Sequence, residues 1–297
     1  MMKRNTKLLF TRRAVLPLLL AALSAFNPAG CCAQEAAAVL AKGSGLYFEA
    51  FLAFQKALGR PLATFDLSAE KPRLPRGLKT VVAFGSKAAA YDYPPGAKVI
   101  YLLAPGYAPR NGGGRSTGIS ALPEPSQAIE VYKRLQPDLK RLGVFIAKSE
   151  RNPYIAELEA AAKPRGVEII HVELRAPEEF PDKLRDLAGR IDALWLLPEP
   201  TLINKTSLMV LAEFSCSNRL PFYAPSGGLT ELGAAASFAP NLTEAGVAAA
   251  AALEKTLSGQ ALPGTIYVAR SELALNEAFI KKCALPVKLP ASRAADR

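Results

Sequence analysis

The residues able to do chemistry in this chain cluster where apolar runs give way to helix-like patterns. Ser44 follows AAAVLAK, Ser86 follows TVVAFG, Ser149 follows LGVFIA, and Ser226 follows PFYAP. A hydroxyl at such a place, beside unpaired backbone N–H groups and the positive end of a helix dipole, suits a carboxylate or phosphate. Ser44, Ser86 and Ser149 are therefore expected to donate to an anionic group of a ligand. Each could equally do no more than cap its own helix. Tyr47, Lys87, Arg151 and Asn152 stand beside these serines and join the candidate set. Glu199 follows ALWLLP, between Pro198 and Pro200. It could pair with a ligand amine or remain a solvated loop charge. Tyr107 follows KVIYLLAP, where a ring could stack on a ligand or pack at a rim.

Little here speaks for catalysis. His171 is the only histidine, inside VEIIHVEL, a structural setting. A nucleophile elbow of the GxSxG kind is absent, and no acid/base pair stands out. No catalytic residue, metal or cofactor is expected. Cys216 and Cys283 lack metal-ligand spacing, and each sits in an expected helix. One disulfide between them or two buried thiols both remain open. Trp195 is expected in the core.

Residues 141–174 show how these groups would be positioned. LGVFIA reads as a strand buried on both faces. Ser149 and Asn152 are N-cap types and Pro153 suits a first helical turn. Tyr154, Ile155, Leu158, Ala161 and Ala162 share one helical face, and Pro164 with Gly166 ends the helix. VEIIHVEL is the next strand. Strand, crossover helix and parallel strand form a right-handed unit, and ligands bind outside the carboxyl ends of such strands.

The remaining elements follow the same logic. Strands are expected at AAAVLAK, PLATFDL, TVVAFG, KVIYLLAP, ALWLLP, PFYAP and TIYVA. Helices are expected over residues 46–58, 126–135, 181–191, 201–218, 243–257 and 271–282, with a short one opening at Ser86. PRNGGGRSTG, residues 109–118, reads as a hinge or domain boundary. The rival phosphate-loop reading is weak, because no Gly-Lys-Ser/Thr follows. Alternating α/β lobes joined by this connector are the economical architecture.

The chain has 297 residues, 50% hydrophobic and 21% charged, so it is globular. Lys3, Arg4, Lys7, Arg12 and Arg13 precede AVLPLLLAALSAF, a pattern of export signals. Pro28-Ala29-Gly30-Cys31 resembles a lipobox, with Pro28 in place of the usual leucine, so Cys31 is the expected lipidation site. Ordinary cleavage near Ala29 or Ala33 is the alternative. Thr11-Arg12-Arg13 is similar to a twin-arginine signal, or is merely basic. Taking away the five basic and no acidic side chains of residues 1–30 lowers the net charge from +11 to +6. That modest, dispersed excess argues against nucleic-acid binding.

GGGRSTGIS, LQPDLKRLGVFIAKSERN, DALWLLPEP, LPFYAPSGGLTELGAAASFAPNLTEAGVAAAAALEKTLSGQ and LNEAFIKKCALPV succeed one another along the chain. This succession resembles bacterial ABC-transporter substrate-binding proteins of the tryptophan/tyrosine-binding type. The resemblance implies the type I periplasmic-binding-protein fold: two Rossmann-like lobes with parallel sheets, joined by a three-segment hinge at residues 117–121, 238–241 and 266–270. The expected partition is a signal peptide at 1–30 and a tether at 31–36. Lobe 1 is 37–119 plus 241–267, lobe 2 is 120–240 plus 268–290, and 291–297 is a tail. Arg115-Ser116 replace the asparagine usual before the first crossing. A Pro-rich loop stands where the family carries a helix between residues 67 and 80, so the first lobe is shortened.

The implied protein is not an enzyme. It is a periplasmic, lipid-anchored, monomeric binding protein serving an ABC permease of the inner membrane. Its ligand would be a small polar metabolite, with amino acids among the candidates. The rival is an envelope lipoprotein that keeps the fold as a ligand-free interaction module; a hydrolase is a more distant third.

Overall fold

The computed structural model describes residues 35–69, 73–75, 77–107, 109, 116–147, 153–199 and 202–289. The expected export signal, the expected lipidation site Cys31, the bulk of the Gly-rich connector, and Ser149, Arg151 and Asn152 lie outside the described residues.

β1 (Ala36–Leu40) is buried along its whole length, and so is β3 (Thr80–Phe84). Strands this apolar must be covered on both faces, which makes them central in a parallel sheet. They pair with each other, with β2 (Ala63–Asp66) on one side and β4 (Lys98–Leu102) on the other. β5 (Ser116–Ile119) and β11 (Thr265–Ile266) complete the order β11-β5-β4-β3-β1-β2, parallel throughout. β5 was expected only as connector and crossing. Its STGI sequence is too short to announce a strand, and its pairing with β4 and β11 makes it one.

α1 (Leu46–Leu58) and α7 (Leu242–Leu257) cover one face of this sheet. Phe51 and Phe54 of α1 both meet Phe84 of β3 edge-on, with centroids 5.5 Å apart. Each such buried ring contributes about 1.5–3 kcal/mol. The opposite face is covered by Leu67, Leu74 and Leu78 from the β2–β3 connection, by α2 (Ser86–Ala89), and by Tyr91 and Tyr93. Among the described residues of that connection there is no helix.

The second sheet has the order β12-β10-β9-β8-β6-β7. β6 (Arg141–Ala147), α4 (Pro153–Ala162) and β7 (Glu168–Leu174) form the expected unit, with the strands parallel from Arg141 opposite Glu168 onward. β8 (Ala193–Trp195), β9 (Phe222–Ala224) and β10 (Ala236–Pro240) continue in parallel. α3 (Pro125–Leu135), α4 and α8 (Glu277–Lys282) pack on one face, and α5 (Phe180–Asp186) and α6 (Lys205–Asn218) on the other. Trp195 is fully buried, and Tyr132 stacks on Tyr223 at 4.3 Å. His171 is half exposed beside Glu159, its Nδ1 3.3 Å from Oε1.

One expectation is overturned. Residues 271–282 do not form a single helix: Ser271–Leu275 is strand β12, antiparallel to β10, and only Glu277–Lys282 is helical. Glu, Leu and Ala in SELALNEAFIKK favour a helix locally, but the free edge of β10 recruits the first half. Other boundaries move less. The expected strand TIYVA keeps only Thr265–Ile266, and α6 starts at Lys205, capped by Asn204 Oδ1 accepting from the Ser207 N–H at 2.9 Å. Cys216 and Cys283 are joined by a disulfide, with Sγ atoms 2.08 Å apart.

The chain passes between the sheets three times: after β5 into α3, after β10 into α7, and between β11 and β12. Asn241, at the second passage, and Asn276, between β12 and α8 inside the second lobe, are structural. Asn241 caps α7 and Asn276 caps α8, each accepting an N–H at 2.9 Å.

Candidate functional site

The carboxyl ends of β4 and β5 face those of β6 and β8 across a cavity of about 270 Å3. This is where parallel strands leave helix starts and irregular backbone free to meet a ligand. The first lobe contributes Tyr101, Tyr107 and Gly118 to the wall. The Tyr107 ring meets Tyr101 edge-on at 4.8 Å. Gly118 makes room for that pair, since a Cβ there would lie 2.8 Å from the Tyr101 ring. The second lobe contributes Phe145, Ile146, Tyr154, Glu157, Leu197 and Glu199.

The first and third passages form the hinge side. Ser120 Oγ donates to the Leu122 carbonyl at 2.8 Å and accepts the Leu122 N–H at 3.0 Å, closing a tight turn. The Tyr154 hydroxyl donates to the Pro123 carbonyl at 2.9 Å. Tyr267, just after β11, donates its hydroxyl to Glu157 Oε2 at 2.6 Å. Burial pushes the phenols of Tyr101, Tyr154 and Tyr267 up. Neighbouring phenols add to it for Tyr101 and Tyr154, and the Glu157 carboxylate adds to it for Tyr154 and Tyr267. All three remain neutral hydrogen-bonding groups at physiological pH.

Of the residues singled out in the sequence, Tyr107 and Glu199 line this cavity. Ser86 lies just behind it: its hydroxyl donates to the Pro105 carbonyl at 2.8 Å, and Pro105 is part of the wall. Ser44, Tyr47, Lys87 and Ser226 are not among its lining residues. Ser44 is exposed in the turn after β1, where Asp66 Oδ2 accepts the neighbouring Gly43 N–H at 2.9 Å. The hydroxyl and N–H of Ser68 hold the Asp66 carboxyl below the usual carboxylate range; Lys87 lies close enough to assist. Tyr47 packs on the first-lobe core, where a Cβ on Gly85 would lie 2.9 Å from its ring. Ser226 opens a 3-10 turn beyond β9.

Tyr101, Tyr154, Glu157 and Tyr267 were missed from the sequence. Tyr154 and Glu157 are spaced one helical turn apart immediately after the expected cleft loop, and that spacing was the available signal. Nothing local marked Tyr267.

A shallower and larger depression, about 970 Å3, lies at the amino ends of β6 and β7, beside Lys140, Arg141, Glu168 and Asp192. Its groups serve each other: Asp192 Oδ1 accepts from Arg141 Nη2 at 2.8 Å, and Oδ2 accepts the N–H groups of Lys140 and Arg141. It sits at the end of the sheet where parallel strands do not bind ligands.

The model of the ABC transporter substrate binding protein family matches residues 107–287, from the cleft tyrosine Tyr107 through both later passages. The chain belongs to this family. Members are binding proteins rather than enzymes. A tyrosine-binding protein of Clostridioides difficile is 26% identical over 126 residues, 42% of this chain; the match spans only 36% of that relative's length. The fold is similar to that of a Streptococcus pneumoniae ABC domain solved with L-Trp, at TM-score 0.60 and 17% identity over 86% of this chain and 96% of that one. It is also similar to a ligand-free, open substrate-binding protein with adhesive properties from Clostridium difficile, at TM-score 0.59 and 16% identity over 88% of this chain and 97% of that one. These likenesses bear on the fold, which is that of type I periplasmic binding proteins.

Proposed function

We propose that the chain is the exported solute-binding component of an ABC-type uptake system. It binds one small polar metabolite, an amino acid foremost, between its lobes and delivers it to a permease of the inner membrane. The observation that carries this is the cavity of about 270 Å3 walled by both lobes and by the passages joining them. Its size is near the lower end of small-molecule sites, suited to one amino-acid-sized ligand. Tyr107 and Glu199 contact the solute in this reading. Ser149, Arg151 and Asn152, which directly precede the wall residue Pro153 in sequence, donate to its anionic group. Ser86 braces that wall. Ser44, Tyr47, Lys87 and Ser226, which do not line the cavity, reach the ligand only on closure. Lipidation at Cys31 keeps the protein at the membrane. Binding shifts the population from open to closed lobes, and the permease reads the closed form.

Native mass spectrometry of protein lacking residues 1–32, purified gently and then denatured, tests the reading. A stoichiometric small molecule supports it and identifies the solute class. A clean apo mass, with no thermal shift across amino acids and nucleosides, favours a ligand-free envelope module instead. The Tyr267–Glu157 bond, which uses polar groups of the cavity wall on each other, is what favours that second reading.

A further inference from the structure

The fold distributes charge unevenly. The first sheet and the helices on it come from residues 35–119 and 241–266. These carry twelve lysines and arginines against seven aspartates and glutamates, net +5. The rest of the chain after residue 34 carries twenty against nineteen, net +1. An excess dispersed along the sequence is thus gathered in one lobe, as in chains that meet an anionic surface.

Within that lobe bases collect at one pole. β1, β3 and β4 start side by side, Ala36 opposite Thr80 and Thr80 opposite Lys98. Lys79 and Lys98 are therefore neighbours there, the Lys98 N–H donating to the Lys79 carbonyl at 2.8 Å. α1 returns to the start of the parallel strand β2, so Lys56 in its last turn and Arg60 beyond it lie at the same pole. Arg60 pairs with Glu254, which brings the last turn of α7, with Lys255, to it as well. All five bases are exposed. Glu35 engages Lys79 as Glu254 engages Arg60. Among the described residues Lys56, Lys98 and Lys255 are in no ion pair. The undescribed residues of the lobe, 70–72, 76, 108 and 110–115, hold one acidic and four basic side chains, so they cannot cancel the excess. Lys56 and Lys255 also complement the carbonyl ends of their helices, a role that Lys79 and Lys98 do not share. At the amino end of the second sheet, by contrast, Asp192 holds Arg141 and Glu130 holds Arg165.

The chain enters the first lobe at this same pole, where the Glu35 carbonyl accepts the N–H groups of Lys79 and Thr80. Cys31 precedes Glu35 by four residues, a reach of at most about 14 Å. That is close to the distance of about 8–10 Å over which salt screens charge. We infer that the pole bearing Lys56, Arg60, Lys79, Lys98 and Lys255 is a membrane-docking surface that lies against the headgroups of an anionic phospholipid bilayer. This rests on the envelope location given above and specifies the surface met there; the docking itself needs no lipid on Cys31. Each base near such a surface strengthens binding about fivefold. The cleft, at the other ends of the same strands, is held clear of the bilayer.

Co-sedimentation of protein lacking residues 1–32 with vesicles is the test. Vesicles of phosphatidylcholine with about 30% phosphatidylglycerol bind it at least about tenfold more tightly than phosphatidylcholine alone, at about 0.05 M salt, and the difference collapses at about 0.5 M. Lys79→Glu with Lys98→Glu weakens this binding by at least about tenfold. Lys183→Glu with Lys205→Glu, an equal change of charge on exposed residues of α5 and α6, leaves most of it. Thermal melts verify that both variants are folded. Equal binding to the two kinds of vesicle overturns the assignment. So does an equal loss in the two variants, which would make net charge rather than this pole the cause. The mass of the N-terminal peptide of the exported full chain reports acylation of Cys31 by itself, so failure of the anchor and failure of the docking surface are told apart.

Discussion

Gly246 of α7 lies so close to Ala50 of α1 that a Cβ on it would fall 2.2 Å from the Ala50 carbonyl oxygen and 2.8 Å from the Phe54 nitrogen. Backbone, not a flexible side-chain tip, occupies the space. The two helices that cover the first lobe can therefore cross this closely only with glycine at residue 246. Gly246→Ala is expected to destabilise the protein by about 1–3 kcal/mol, the range of overpacked cores. A thermal melt should show a lower midpoint. An unchanged midpoint would mean that the crossing is looser than described.

The Cys216–Cys283 disulfide ties α6 to the chain just past α8, on opposite sides of the second sheet's far edge in sequence but adjacent in space. Removing it by paired Cys→Ser substitution should cost about 2–4 kcal/mol. Urea melts of the oxidised protein, the reduced protein and the double variant measure this. Reduced wild type and the double variant should coincide.

Tyr267→Phe removes a hydroxyl that ties the third passage to α4 of the second lobe. A hydrogen bond to a charged group is worth about 1.5–3 kcal/mol. The variant should accordingly be less stable, with a lower midpoint in a thermal melt. An unchanged midpoint would show that the bond contributes nothing to the folded state.

Asp192 should impose an acid limb on stability. Partial burial pushes its carboxyl up, but the Arg141 guanidinium and the N–H groups of Lys140 and Arg141 outweigh this and hold it below the usual carboxylate range. In the unfolded chain the carboxyl takes up its proton near pH 4, before the folded form does. The stabilisation is thus complete above that range and is lost as pH falls through the folded value. Asp192→Asn should be less stable than wild type at pH 7, and the gap should close on acidification in parallel urea melts.

The fold was legible wherever burial alone decides the element. AAAVL, TVVAF and LGVFIA have no polar face to offer, so only an inner strand accommodates them. α1 follows from its own apolar stripe and ends at Gly59 in the left-handed conformation. What could not be read depends on partners distant in sequence. SELAL becomes a strand because β10 offers an edge, and STGI because β4 and β11 lie on either side. The cleft divides in the same way. Tyr107 and Glu199 were visible because they follow strands. Glu157 looked like one more solvated charge on an amphipathic helix, and its place in the wall depends on Tyr267, 110 residues further on.

The return of α7 to the first lobe has a consequence for how the protein comes into being. Phe54 and Phe84 need Ala249 and Leu253 beside them, and the open edge of β5 needs Thr265 and Ile266. A ribosome delivers those residues late. Until then the N-terminal half presents an uncovered apolar sheet face to whatever chaperone or secretion machinery meets it. The lobe that starts first is therefore closed only after most of the second lobe has been made, and both are completed within the last few elements of the chain.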